Sequence, residues 1–231
     1  MANPAPTILN AIDSLFITLY DRVADYSDYQ GFSSLFGLSV TQAASTTATV
    51  AQFQTIAAAM TSPSLPPADL AYYNTNYGSL NNVQFIEQLF SNLGGPTNQS
   101  GISGGVVYYS GELNSGDSRS FVLGQFVHDF LTFNTTGDAA ATARQQTLWN
   151  KVQVSEAYAL ASQTNPFLVS TAPGQPAFAA EIAIVANVTS DHRHDQWRHH
   201  QCQSWQWRRP RDDDRNGGQC HRPRQWRGRH G

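Results

Sequence analysis

The chain has 231 residues and a formal net charge of −3, but the charge is split unevenly. Residues 1–190 carry 12 Asp and Glu against four Lys and Arg, a net charge of −8. So acidic a body argues against nucleic acid as a partner, whose phosphates need clustered cations, and against docking on anionic lipid through a basic face. No run of about 18 apolar residues occurs, which excludes a membrane-spanning helix.

The start, MANPAPTILNAIDSLF, has no basic stretch followed by an apolar one, so no conventional signal peptide is expected. Ile8, Leu9, Ile12, Leu15, Phe16, Leu19, Tyr20 and Val23 recur at spacings of three and four, the signature of an amphipathic helix. It is expected to end in a polar turn at Asp25–Asp28. Phe32, Leu35 and Phe36 predict a short second helix stopped by Gly37. Thr41 to Met60 reads as one Ala-rich helix with Val50, Phe53, Ile56, Ala57 and Met60 on its stripe. Pro63, Pro66 and Pro67 break the chain, and Asp69 then caps a short segment with Leu70, Tyr72, Tyr73 and Tyr77.

Asn82 to Leu93 is the clearest helix, with Val83, Ile86, Leu89, Phe90 and Leu93 inward and Gly94, Gly95 and Pro96 as its stop. Thr97 to Gly105 reads as a flexible loop, and Val106 to Leu113 as a short helix or extended segment. A turn at Asn114–Asp117 leads to Ser118 as an N-cap. Phe121, Val122, Gln125, Phe126, Phe130 and Phe133 form the expected face of the next helix, and Ala139 to Ser162 is a long one using Leu148, Trp149, Val152, Ala157 and Tyr158. Residues 166–190 read as a linker with a last apolar segment at Ala177–Val188. No convincing strand alternation appears before Val106, so the expected fold is all-α: an irregular bundle over residues 1–165 of two weakly similar units, 8–62 and 79–162, followed by a disordered tail.

Residues 191–231 break from this texture. They hold 10 of the 14 Lys and Arg, six of the seven His, four of the five Trp and both Cys. Codon degeneracy offers a reason. Trp is TGG, so reading one base later always gives Gly; a preceding Gln becomes Asn or Ser. The pairs Gln196-Trp197, Gln206-Trp207 and Gln225-Trp226 thus become Asn-Gly or Ser-Gly. The run Trp205 to Pro210 can become G-N-G-G-D, which resembles the calcium-binding glycine- and aspartate-rich RTX repeat. We read the tail as translated out of frame from about Val188–Asp191. On that reading this chain has no cofactor of its own, and Ca²⁺ belongs to the frame-restored repeats.

Two stretches of the body look alike: Phe16 to Phe32, and Phe85 to Pro96 continuing to Phe126. In the second, Leu89-Phe90, Gly105, Tyr108, Tyr109, Leu113, Ser115 and Gly116 stand in order; Asn150 to Ser155 adds a following segment. This pattern resembles a small bacterial helical domain of unknown function found near the N-termini of RTX and S-layer proteins. It covers residues 80–160 well and 12–60 weakly. Asp21, Arg22 and Asp25 keep more of the family's turn in the first unit, whereas Gly95-Pro96 departs from its Gly-Arg and Thr97 to Gly104 is an insertion. The resemblance implies a non-catalytic surface-attachment or assembly region of a protein exported by a type I system that reads a C-terminal signal. Its implied partners are cell-surface polysaccharide or further copies of itself. The chain as given lacks that signal, which leaves retention in the cytoplasm open. The alternative is an intracellular helical adaptor whose basic, His-rich tail binds metal or acidic partners.

Individual residues carry weaker signals. His192, His194, His199, His200, Cys202, Cys220 and His221 include zinc-ligand types, but their spacing matches no tetrahedral site. Asp212 to Asp214 cancel much of the field of the neighbouring Arg208, Arg209 and Arg211. Asp25, Asp28, Asp117 and Asp138 are oxygen donors without EF-hand spacing, so turn chemistry is the better reading. His128 and Asp129 are neighbours whose directions differ by about 100° on a helix, so no catalytic pair is expected. Tyr72, Tyr73, Tyr77, Tyr108 and Tyr109 could stack on sugar rings, though aromatics at helical spacing are more often core.

Overall fold

The computed structural model describes residues 4–64, 67–93, 102–164, 182–186 and 188–189. The protein is all-α. Nine helices are named: α1 Ile8–Tyr20, α2 Tyr26–Ser34, α3 Val40–Ala43, α4 Val50–Met60, α5 Pro67–Tyr77, α6 Asn82–Asn92, α7 Ile102–Ser115, α8 Arg119–Thr132 and α9 Ala139–Ser162. Among the described residues the only β-type pairing is an isolated bridge between Thr7 and Thr47.

Local chemistry starts most of these helices. Thr7, Asp25, Ser39, Thr49 and Asn81 each accept from the backbone N–H three residues on, while the side chain at that third position bonds back to the cap. Such reciprocal boxes satisfy two of the four orphan donors at a helix start. Ser118 and Asp138 cap α8 and α9 singly.

α1 is the centre of the fold. Twelve of its residues are buried, polar ones included, and it packs against α9, α4, α2, α6 and α8. The carbonyls at its C-terminal end have no partner within the helix. Asn92 Nδ2 donates to Thr18 O at 2.8 Å, and the Tyr77 hydroxyl donates to Leu19 O. α4 and α8 form the most extensive helix pair. At their crossing a Cβ on Gly124 would stand 2.5 Å from Gln54 Cα, so only glycine permits this approach. The pair joins stretches 8–62 and 79–162, whose buried apolar side chains lie in one core.

The structure corrects several sequence-based expectations. Asp25–Asp28 is not a turn after α1: Asp25 caps α2 and Asp28 lies in its first turn. Thr41–Met60 is two helices, because Thr49 caps a new start and Thr46–Ala48 runs beside Pro6–Ile8. Asp69 sits in the first turn of α5 behind Pro67, whose missing N–H costs nothing there. Residues 102–105 belong to α7 rather than to a loop. Val83, Phe121 and Phe133 face outward, while Leu123 and Val127 take the buried positions on α8. Helix α9 spans the expected Ala139–Ser162, and Ala159 is buried in it. Residues 182–186 are helical, with Val185 in the core. The expected stop at Gly94–Pro96, most of the expected loop at 97–101, the linker at 166–181 and the tail at 191–231 lie outside the described residues.

Candidate functional site

The expected family turn is a buried joint. Asp21 ends α1 in the left-handed region, φ 48°, where its N–H donates to Ile17 O at 3.1 Å. Arg22 is 4% exposed and lies 4.4 Å over the Phe16 ring. It ion-pairs with Asp28 at 3.3 Å and Asp69 at 3.5 Å, and donates to Val23 O at 3.0 Å. Its carboxylate partners therefore come from α2 and α5, not from Asp21 or Asp25. Asp21 instead faces Lys151 of α9 at 3.7 Å. Burial lowers the Lys151 ammonium below its usual range, and Asp21 partly offsets this. The geometry ties four helices together.

Gly105 and Gly116, grouped with that turn by sequence, separate in space. Gly105 lies inside α7, where a Cβ would meet Phe90 Cζ at 2.7 Å. Gly116 makes the turn after α7 with φ +111°, the region where glycine is unstrained.

The five tyrosines divide as well. Tyr77 is core. Its hydroxyl donates to Leu19 O, accepts from Asn92 Nδ2 at 2.9 Å, and is held protonated chiefly by burial. Tyr73 stacks on Tyr77 and Tyr72 meets Tyr20 edge-on, both partly buried. Tyr109 packs edge-on against Phe126, and its hydroxyl donates to Asp129 Oδ2 at 3.1 Å. Tyr108 alone of the five is exposed, at 51%, beside Val107 at 72%.

Around Tyr108 the outer sides of α7 and α8 place several polar groups together. Gln125 Nε2 donates to the Tyr108 hydroxyl at 3.2 Å. Asp129, one turn along α8, bridges Tyr109 and His128, whose Nδ1 lies 3.2 Å from Asp129 Oδ1. The roughly 100° divergence of adjacent helix positions does not keep the two side chains from bending together over the helix surface. The His128 ring also stands edge-on to Phe53 of α4, at 5.4 Å. Burial, and then Asp129, raise the Tyr109 hydroxyl well above its ordinary value, so it stays protonated and donates to Asp129. The exposed Tyr108 ring thus has the Gln125 amide on its hydroxyl, while the Asp129 carboxylate sits on the neighbouring Tyr109 with the His128 imidazole beside it.

A shallow depression at the start of α6 is lined by Asn81, Asn82, Val83, Gln84 and Asn114. Its amides already bond to the cap or to each other, as Asn82 does to Asn114 at 2.8 Å. Among the described residues no group of three or more His, Cys, Asp or Glu could hold a metal ion, and no helix is long and apolar enough to cross a membrane. The tail histidines and cysteines lie outside the described residues. No protein-family model, curated protein or solved structure matches this chain.

Proposed function

We propose that residues 1–190 are the non-catalytic surface-attachment region of an S-layer- or RTX-type exported protein, and that the α7–α8 patch contacts cell-surface polysaccharide. The observation that carries this reading is the exposed Tyr108 ring, held between Tyr109 and Gln125 with Asp129 and His128 within the same cluster. A sugar ring presents an apolar C–H face and a rim of hydroxyls. An aromatic face beside fixed amide and carboxylate groups is complementary to both. The residue order of the resembled helical domain and the Gly/Asn-rich text of the tail read one base later add the exported, calcium-dependent context. In the frame-restored protein the repeats would take Ca²⁺.

The test is retention of the full chain on immobilised bacterial surface polysaccharide. Tyr108→Ala should weaken binding at least tenfold with an unchanged melting profile, since the ring is half out of the core. Equal retention of both proteins, or none by either, would remove the patch from the proposal. Loss in the variant of concentration-dependent association, with no effect on polysaccharide, would make the patch an assembly contact. Reading the coding DNA across codons 180–200 tests the context separately: an intact frame ending at Gly231 would make the tail genuine.

A further inference from the structure

Asp13 lies in the middle of α1 and is fully buried. Its two oxygens meet two helices. Oδ1 accepts from the Ser155 hydroxyl of α9 at 2.5 Å, and Oδ2 accepts from the Tyr29 hydroxyl of α2 at 2.6 Å. Ser155 Oγ in turn accepts from Ala24 N–H at 3.1 Å, just before α2 begins. Tyr26 N–H, at the start of α2, donates to Ser162 of the same face of α9 at 2.9 Å. Helix α2 thus sits on α1 and α9 through these hydroxyl contacts together with aromatic packing, Phe32 edge-on to Phe16 and the Tyr29 ring in the core. Only Tyr29 and Ser33 of its residues are buried.

The surroundings of Asp13 are acidic. The charged groups that bear on it are Glu156 of α9 and Asp28 of α2. The nearby cations are engaged elsewhere: Arg22 with Asp28 and Asp69, Lys151 with Asp21. Helices α3 and α4 have no ionisable side chain to contribute. An ionised carboxylate taken from water needs a counter-charge as well as hydrogen bonds. Here it has only the hydroxyls.

We propose that Asp13 is a proton-operated latch: neutral, it keeps α2 seated on α1 and α9; ionised, it loosens that helix. Burial lifts its carboxyl well above the ordinary carboxylate range, the Ser155 and Tyr29 hydroxyls oppose this in part, and Glu156 and Asp28 add to it. Burial and then Asp13 hold Tyr29 protonated throughout. In the neutral form the Asp13 O–H can donate to Tyr29 Oη, so the contact persists without the charge. When α2 lifts, water reaches Asp13 and its titration returns to the ordinary range. The opening equilibrium of α2 therefore grows up to tenfold per pH unit between the ordinary value and the folded one.

Hydrogen exchange of the α2 amides in the full chain, corrected for the intrinsic pH dependence, reads this directly. Protection should be at least tenfold greater at pH 5 than at pH 7 in the wild type, and Asp13→Asn should abolish the difference. Asp28→Asn and Glu156→Gln should reduce it without removing it. Invariant protection, or a difference that survives in Asp13→Asn, would overturn the latch. Should Asp13→Asn fail to fold, the side-chain carboxyl carbon of Asp13 in the wild type decides. A neutral shift at pH 5 supports the proposal, and an ionised one overturns it.

Discussion

Gly124 of α8 faces the backbone of Gln54 in α4 so closely that an added Cβ would stand 2.5 Å from both the Cα and N of Gln54. The obstacle is main chain, which cannot swing aside. Gly124→Ala must therefore spread the most extensive helix pair of the fold. Overpacking of this kind costs about 1–3 kcal/mol, which outweighs the ~1 kcal/mol that alanine gains over glycine in a helix. The variant should unfold at lower denaturant concentration. Gly111→Ala is the control: nothing lies within 4 Å of its added Cβ, so that variant should be more stable.

Arg22 is the cation of the joint between α1, α2 and α5. Removing it leaves Asp28 and Asp69 facing each other with side chains only 20% exposed. Arg22→Ala should cost about 3–5 kcal/mol, the range for breaking a buried pair by deleting one partner. Arg22→Lys should recover part of this, since an ammonium is a point charge without the planar fork that reaches two carboxylates. Denaturant midpoints of the two variants check both statements.

Asp28 gives a pH dependence with a defined window. Burial pushes its carboxyl up to about 6, although Arg22 draws it down. The folded state thus holds this proton more tightly than the unfolded chain. Its contribution to stability is complete below the ordinary value of about 4 and is lost as pH rises through 6. Burial likewise raises Asp21 and Glu156. The thermal midpoint should fall between about pH 4 and pH 6, and Asp28→Asn should remove the portion lost across that window. A midpoint that rises over this interval would contradict the assignment.

Tyr77 and Asn92 together close the C-terminal end of α1. Tyr77→Phe removes the donor to Leu19 O while leaving the ring stacked on Tyr73 and edge-on to Phe85. A buried acceptor left unsatisfied costs about 1–3 kcal/mol. Calorimetry should show that loss with the helical circular dichroism of the native protein unchanged.

What the sequence determined by itself is local. The three-and-four spacing of Ile8 to Tyr20 and of Ile86 to Leu93 follows from helix geometry alone, and both are helices. Gly37 stops a helix with φ +68°, as its lack of a side chain permits. The start signals were also in the text: Thr7-x-x-Asn10, Ser39-x-x-Gln42, Thr49-x-x-Gln52 and Asn81-x-x-Gln84 are all capping boxes. Reading Thr49-x-x-Gln52 as such separates α4 from α3.

Tertiary structure decided the rest. Asp13 looks like one more polar position on α1 until Tyr29 and Ser155 arrive from 16 and 142 residues away. Arg22 finds Asp69 only because α5 folds back on α1. Periodicity alone did not show which side of α7 carries the exposed Tyr108 and which side packs Tyr109 against Phe126. The physical reason is that periodicity records how a helix divides its own faces, whereas charge pairing, burial and close approach depend on which other helix comes to lie against them.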